Sequence, residues 1–200
     1  MAIFIPTFFF VSLTPGMCMT LSLSMGMSIG LRRTLFMMYG ELVGVGLVAT
    51  ASVIGVAAIM LQYPSIFIFL KYGGGLYLGY LGIQMWLSRG KMALNLEECS
   101  FAVSNKSLAM QGFITAIANP KGWAFFIALL PPFINSSLDL TPQLSVLLFF
   151  ILSLEFLCLI IYASGGNTLR KLLQNSSNVK LLNKIAGTMM IGVGVWLALS

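Results

Sequence analysis

The sequence predicts an all-α integral membrane protein with about six transmembrane helices arranged as two inverted three-helix repeats. Its 200 residues are 58% hydrophobic and only 8% charged, with a mean hydropathy of +0.97. A soluble domain carries about 25% charged residues, so this chain lacks the polar surface that a soluble globule needs. Two further observations support the prediction: apolar runs of membrane-spanning length, and features that recur in both halves.

Apolar runs that are long enough to span a bilayer, which takes about 20 residues, follow one another along the chain. They are roughly Ile3–Ser24, Leu35–Leu61, Ile66–Leu87, Met110–Ile134, Leu144–Ser164 and Leu182–Leu199. A tight turn at Gln62-Tyr63-Pro64-Ser65 joins the second run to the third. The polar stretch in the middle divides one transmembrane domain, 1–200, into repeat one (1–88), a cytoplasmic linker (89–109) and repeat two (110–200).

Basic residues concentrate in alternate loops, which predicts the orientation. The first, third and fifth loops hold Arg32 and Arg33; Arg89, Lys91 and Lys106; and Arg170, Lys171, Lys180 and Lys184. The positive-inside rule places these loops in the cytoplasm and both termini outside. Because the net charge of +6 is spread over short loops and not over one folded face, we expect no nucleic-acid partner.

A short proline motif interrupts the first run at Thr14-Pro15-Gly16 and the fourth run at Asn119-Pro120-Lys121. Proline lacks a backbone donor and clashes with the preceding turn, so each motif predicts a broken helix. Inside a membrane, irregular backbone is tolerated only where protein buries it or where it lines a wet cavity. Broken helices in matching positions are typical of a transporter's binding site, although one proline alone also fits a simple kink. Thr14 and Asn119 can cap freed backbone groups or contact a substrate.

The third and sixth runs share a glycine pattern, with Lys71-x-x-Gly74 in one and Lys184-x-x-Gly187 in the other. A unit with an odd number of spans enters the membrane upside down when it is repeated once, which gives inverted repeats. Chance similarity is the alternative, because glycine is common in membrane helices, where it lets backbones approach. Close-packing patterns such as Gly40-x-x-x-Gly44 are also compatible with a homodimer.

A lone carboxylate follows in the run after each proline motif. Glu155 lies in the middle of the fifth run, where a charged group is costly, and is therefore a candidate proton carrier. Glu41 lies nearer the cytoplasmic end of the second run, where we expect it to be partly solvated. Structural roles compete: an interhelical hydrogen bond for Glu155 and an interfacial position for Glu41. Lys121 either pairs with one of these carboxylates or with a substrate carboxylate, or extends to the interface.

The composition does not favour metal, cofactor or enzyme chemistry. The chain has no histidine and three cysteines, at positions 18, 99 and 158, without a CxxC pair. We interpret these cysteines as small apolar side chains, and the methionines between Met17 and Met38 as packing residues. The methionines also leave open a soft-metal site. No nucleophile–base arrangement is present, so we expect no enzyme activity, no resident metal and no cofactor.

Short strings occur along the chain in a specific order and spacing. They are Leu13-Thr14-Pro15-Gly16, Leu70-Lys71-x-x-Gly74-x-x-Tyr77-Leu78-x-x-Leu81-Gly82, Gly112-Phe113, Asn119-Pro120-Lys121, Pro131-Pro132-Phe133 and Leu182-Asn183-Lys184-x-x-Gly187. Because these strings occur in this order and spacing, the chain resembles the bacterial lysine exporter and homoserine/threonine efflux family over nearly its whole length. The resemblance implies proton-driven export of amino acids or related small metabolites across the bacterial inner membrane.

The resemblance also implies which residues line the pathway. It carries over to Thr14-Pro15-Gly16 and Asn119-Pro120-Lys121, and many members have an acidic residue in the fifth helix, as Glu155 is here. The family's first motif usually continues with a second proline and then Asn or Asp, where this chain has Met17 and Cys18. That departure removes a helix breaker and a polar group, which favours a less polar substrate.

Three hypotheses therefore stand. In the first, the protein is a proton-coupled exporter in which Glu155, together with Glu41, alternates between protonated and charged states while the two breaks frame the substrate. In the second, a metal cation replaces the amino acid on the same scaffold. In the third, the protein is a membrane partner that transports nothing.

Overall fold

The computed structural model describes residues 4–62, 64–88, 104–130, 133–135 and 137–199. This part of the chain forms eight α-helices and contains no strand. The helices are α1 (Phe4–Leu13), α2 (Met17–Ile29), α3 (Leu31–Gln62), α4 (Pro64–Leu87), α5 (Asn105–Ile117), α6 (Pro120–Leu129), α7 (Leu140–Gln174) and α8 (Ser176–Leu199). The predicted all-helical fold is confirmed. Most of the predicted linker, residues 89–103, together with Tyr63, Pro131 and Pro132, lies outside the described residues.

Both proline motifs break a helix, as predicted. The first separates α1 from α2, which meet at an angle of 55°, and the second separates α5 from α6. Pro120 occupies the first turn of α6, where its missing N–H costs nothing. Gly30 separates α2 from α3 with a φ of 77°, a left-handed conformation that disfavours any residue with a Cβ.

Helices long and apolar enough to cross a membrane lie in both halves of the described chain. They are the stretches Leu31–Gly55 of α3 and Leu140–Gly166 of α7, and the bent pair of α1 and α2 qualifies if it is counted as one span. Gly166 ends the apolar part of α7 with a φ of 46° and a kink. The helix then continues to Gln174 through a segment in which polar residues alternate with leucines.

Helix ends extend beyond the apolar runs wherever polar residues can continue the helix. The fourth run begins at Met110, but α5 begins at Asn105, inside the predicted linker, because Ser104 caps it by accepting a hydrogen bond from the Ser107 amide at 3.3 Å. Likewise α8 begins at Ser176, before the predicted Leu182. Hydropathy marks the span of a membrane helix but not its polar first turn.

The helices pack in pairs, and each broken span packs on the other half of the chain. Helices α1 and α2 lie against α7, α5 and α6 lie against α3, and α4 lies along α8. Close approach depends on glycine: a Cβ at Gly82 would lie 2.6 Å from the Gly187 carbonyl oxygen, and a Cβ at Gly187 would lie 2.5 Å from that of Gly82. Such contacts hold membrane helices together by van der Waals packing.

Two apolar clusters fill the interior of the described part. The first, the aromatic cluster, contains four buried phenylalanines and several β-branched residues; its members include Phe4, Phe8, Phe125, Phe126, Val45, Val48, Val53, Leu129 and Ile151. The second, the methionine cluster, includes Cys18, Met19, Leu23, Met25, Met37, Met38, Leu159 and Tyr162. The packing interpretation of these buried methionines is consistent with this arrangement.

Candidate functional site

A cavity of about 60 Å³ lies where the two helix breaks meet, between the aromatic cluster and the methionine cluster. Its volume accommodates a small group of water molecules. Charged and polar side chains line one part of it, and apolar side chains line the rest. The polar lining is Ser12, Thr14, Cys18, Glu41, Asn119, Lys121 and Glu155, and the apolar lining includes Phe8, Val11, Val45, Val48, Ala116, Phe125 and Phe126.

The first break leaves the start of α2 without a side-chain cap. Gly16 is the N-cap residue, with extended backbone and no capping hydrogen bond. The Thr14 hydroxyl points backwards and donates to the Phe10 carbonyl oxygen at 2.9 Å. The Tyr162 hydroxyl of α7 donates to the Leu13 carbonyl oxygen at 2.8 Å and so satisfies the end of α1. The first amides of α2 have no partner within their own helix and lie at the cavity.

The second break satisfies its own backbone. The Asn119 side-chain oxygen accepts a hydrogen bond from the Lys121 amide at 3.1 Å, which caps α6. The Trp123 indole donates to the Ile117 carbonyl oxygen at 2.9 Å, near the end of α5. The Asn119 side-chain nitrogen also faces the Cys18 sulfur across the cavity at 3.8 Å. Asn119 caps the helix that follows its break, whereas the Thr14 hydroxyl bonds to a carbonyl in the last turn of the helix that precedes its break.

Lys121 reaches from the second break to the first. Its Nζ donates to the Val11 carbonyl oxygen of α1 at 3.0 Å, and a Cβ built on Gly16 would lie 4.0 Å from the same nitrogen. The side chain is half-buried and lines the cavity. Lys121 therefore lies inside the protein and does not extend to the interface.

Glu155 lies on α7, 8% exposed, at the same cavity. The Ser12 hydroxyl, the Lys121 ammonium and the Glu41 carboxyl surround its carboxyl group. The ammonium stabilises a negative charge on Glu155, whereas burial opposes it. An acid in such balanced surroundings can change its charge when a neighbour moves or a cation arrives.

Glu41 is completely buried, which corrects the prediction that it is partly solvated. Among the described residues, neither of its side-chain oxygens has a hydrogen-bond partner, and the Cys18 thiol and the Glu155 carboxyl are its polar neighbours. The reason is close packing of α5 on α3. Gly112 lacks a Cβ, and any Cβ there would collide with the Met37 carbonyl and lie 2.9 Å from the Glu41 amide nitrogen. The position of Glu41 along its helix therefore does not decide its exposure.

Six of the eight residues predicted for the pathway line this one cavity: Thr14, Gly16, Glu41, Asn119, Lys121 and Glu155. Pro15 and Pro120 do not line it but create the two breaks. The prediction missed Ser12 and Tyr162 and interpreted Cys18 only as an apolar side chain. Ser12 had a usable signal, since it is a polar residue two positions before the first motif.

The described residues contain no group of three or more Cys, Asp or Glu side chains that could hold a metal ion. Cys18 and Cys158 are both buried and unpaired with each other. Cys99 lies outside the described residues. Nothing in the cavity thus favours the metal-cation hypothesis over an organic cation.

These features define an integral membrane protein with two broken helices around an internal cavity of mixed charge. The model of the LysE type translocator family matches residues 9–200, and the chain belongs to that family. The resemblance inferred from the sequence is thereby confirmed.

Relatives match the chain over almost its full length. An uncharacterized membrane protein of Vibrio cholerae is 30% identical over 94% of this chain and 90% of its own length. A homoserine/homoserine lactone efflux protein of Salmonella typhimurium is 26% identical over 94% of this chain and 90% of its own. A leucine efflux protein of Enterobacter is 26% identical over 95% of this chain and 90% of its own. No solved structure matches the chain.

Proposed function

We propose that this protein is a secondary exporter of amino acids or related small metabolites, coupled to proton antiport across the bacterial inner membrane. The observation that carries the proposal is the cavity at which Lys121, Glu155 and Glu41 meet between two broken helices. Family membership supports it, because relatives are named as efflux proteins for homoserine and its lactone, leucine and threonine.

The substrate's carboxylate binds near Lys121 and the start of α2. The Lys121 ammonium supplies a positive charge close to Gly16, and the uncapped first turn of α2 supplies amide donors with a favourable helix dipole. These groups belong to different halves of the chain, so one carboxylate can bridge the two breaks.

The substrate's ammonium group binds to the carboxylates of Glu155 and Glu41. Glu155 lies on the Lys121 side of the cavity, and Glu41 offers two acceptors that have no hydrogen-bond partner in the described part of the chain. A buried carboxyl group without a hydrogen bond is costly, and a bound ammonium group or a proton removes that cost.

Proton coupling follows because a proton and an ammonium group use the same carboxylates. Binding of one displaces the other, so the cavity carries substrate outward and protons inward. The exchange requires that both ligands shift one equilibrium between an inward-open and an outward-open state. The two breaks, which join half-helices that pack on opposite halves of the chain, are the hinges of that movement.

We further propose that the chain forms six spans in two inverted repeats. Repeat one is 1–88, the cytoplasmic linker is 89–109 and repeat two is 110–200. The crossed packing of the broken spans and the reciprocal contact of Gly82 with Gly187 support this arrangement.

The basic loops predict that both termini lie outside. An impermeant maleimide should therefore label a single cysteine added at the C-terminus of a cysteine-free variant in intact cells. Labelling only after the cells are permeabilised would overturn this topology.

Export from proteoliposomes tests the function. Vesicles of purified protein are loaded with an equimolar mixture of amino acids, the outside is acidified, and the released amino acids are measured by mass spectrometry. We expect specific amino acids to leave faster than from protein-free vesicles, and a protonophore to lower their release to the rate seen without the pH gradient. Equal release with and without the gradient would contradict proton coupling, and no release at all would contradict amino acid export.

A further inference from the structure

Apolar side chains form a continuous wall of the cavity next to the charged groups. They come from three elements: Phe8 of α1, Val45 and Val48 of α3, and Phe125 and Phe126 of α6. All five are at most 8% exposed and belong to the aromatic cluster. A substrate held at Lys121 and Glu155 by its charged groups therefore turns its side chain towards this wall.

The polar groups of the cavity are already committed or charged. The Thr14 hydroxyl donates to the Phe10 carbonyl oxygen at 2.9 Å, and the Asn119 side-chain oxygen accepts from the Lys121 amide at 3.1 Å. Glu41, Glu155 and Lys121 are the groups that bind a zwitterion. A hydroxyl on the substrate's side chain would therefore meet aliphatic and aromatic carbon, and a buried hydroxyl without a partner is unfavourable.

We infer that this apolar wall makes the protein an exporter of amino acids with apolar side chains, and that Val48 and Val45 are among the residues that set the preference. The inference rests on the proposed function and narrows it from amino acids in general to valine-like and leucine-like substrates. Hydroxyl-bearing amino acids such as threonine and homoserine are the poorer substrates.

Valine and threonine provide the sharpest comparison, because they differ only in one methyl group exchanged for a hydroxyl. An apolar site discriminates between such isosteres by on the order of a hundredfold at most. We expect valine to be exported with a kcat/KM about tenfold to a hundredfold above that of threonine.

Val48→Thr tests the wall itself. The new hydroxyl keeps the shape of valine and can bond to the preceding turn of α3, so folding should be preserved. It also gives a substrate hydroxyl a partner, so the valine-to-threonine ratio should fall by about threefold to tenfold. Val45→Thr provides a second variant at the same wall.

Val53→Thr is the matched control. Val53 is 0% exposed, lies on the same helix and belongs to the same cluster, but it does not line the cavity. We expect its valine-to-threonine ratio to equal that of the wild type, whatever the effect of the substitution on stability.

Initial export rates of valine and threonine are measured from proteoliposomes of the wild type and the three variants. A wild-type preference for threonine, or the same ratio in all four proteins, would overturn the inference while leaving amino acid export intact. Release of no amino acid by the wild type would overturn the proposed function as well.

Discussion

Each of the two helix breaks contains a proline, but the two breaks satisfy their backbone groups in different ways. At the second break, Asn119 caps α6 and Trp123 bonds to the carbonyl of Ile117. At the first break, Gly16 provides no cap, and the Thr14 hydroxyl turns back into α1. At the second break, nearby side chains bond to backbone groups of both flanking helices, whereas the first break leaves amide donors at the cavity.

Matching motifs in the two halves therefore have different chemistry. Asn119 and Lys121 are neighbours in one motif, yet Asn119 serves its own helix while Lys121 bonds to Val11 of the other break. The positive groups of both breaks thus converge on one side of the cavity. We interpret the second break as the structural one and the first as the one that receives the substrate's carboxylate.

Loss of the charge that connects the two breaks should have the largest effect. Lys121→Met keeps the length of the side chain but removes the ammonium group that bonds to Val11 and faces Glu155. Hydrogen bonds to charged groups contribute about 1.5–3 kcal/mol, so kcat/KM for export should fall at least tenfold.

Lys106→Met is the control for that variant, because Lys106 is an exposed lysine in the first turn of α5. It should transport like the wild type. If both variants lose transport equally, or if Lys121→Met retains it, Lys121 does not bind substrate.

Removal of the cap from the second break should mainly affect stability. Asn119→Ala leaves the Lys121 amide without its side-chain acceptor, at a cost of about 1 kcal/mol. The unfolding temperature in detergent should drop by a few degrees. Thr14→Val removes the hydroxyl at the equivalent position of the first break. The Phe10 carbonyl that it bonds to also accepts from the Thr14 amide at 3.1 Å, so the unfolding temperature should change less. Equal losses in the two variants would show that the breaks do not differ in this way.

Addition of a cap to the first break should have the smallest effect on stability. It should raise stability slightly but slow transport. Gly16 has a φ of −142° and a ψ of −174°, the extended conformation in which serine caps helices. The nearest atoms to a Cβ there are the Thr14 carbonyl oxygen at 3.8 Å and Lys121 Nζ at 4.0 Å, so the side chain fits. Gly16→Ser should stabilise the protein by a few tenths of a kcal/mol and slow export severalfold, because the hydroxyl occupies amides proposed for the substrate.

Gly122→Ser is the matched control, since Gly122 also lines the cavity but belongs to a helix that is already capped. We expect no gain in thermal stability from it. Faster export by Gly16→Ser than by the wild type would contradict a role for the α2 amides in binding.

The sequence was sufficient to predict the helical fold, both breaks and six residues that line one cavity. Proline chemistry is local, and a carboxylate inside an apolar run is conspicuous, so Pro15, Pro120 and Glu155 could be identified without a structure. Hydropathy also approximated the spans, although the polar first turns of α5 and α8 lie outside the apolar runs.

The exposure of Glu41 could not be predicted, because it depends on how closely α5 approaches α3 at Gly112, a tertiary contact. The direction of Lys121 was equally undetermined, since a long side chain can reach an interface or a carbonyl. Tyr162 became visible only when its partner on another helix, the Leu13 carbonyl oxygen, was known.

The most direct test of the shared cavity is the response of Glu155→Gln to a proton gradient. Proteoliposomes of the wild type and of this variant are compared in two assays, exchange of labelled for unlabelled substrate without a gradient, and net export driven by an acidic outside. We expect the wild type to perform both, and the variant to keep measurable exchange but lose the acceleration by the gradient. Full gradient-driven export by a correctly folded Glu155→Gln protein would contradict the proposal that substrate and protons use one set of carboxylates.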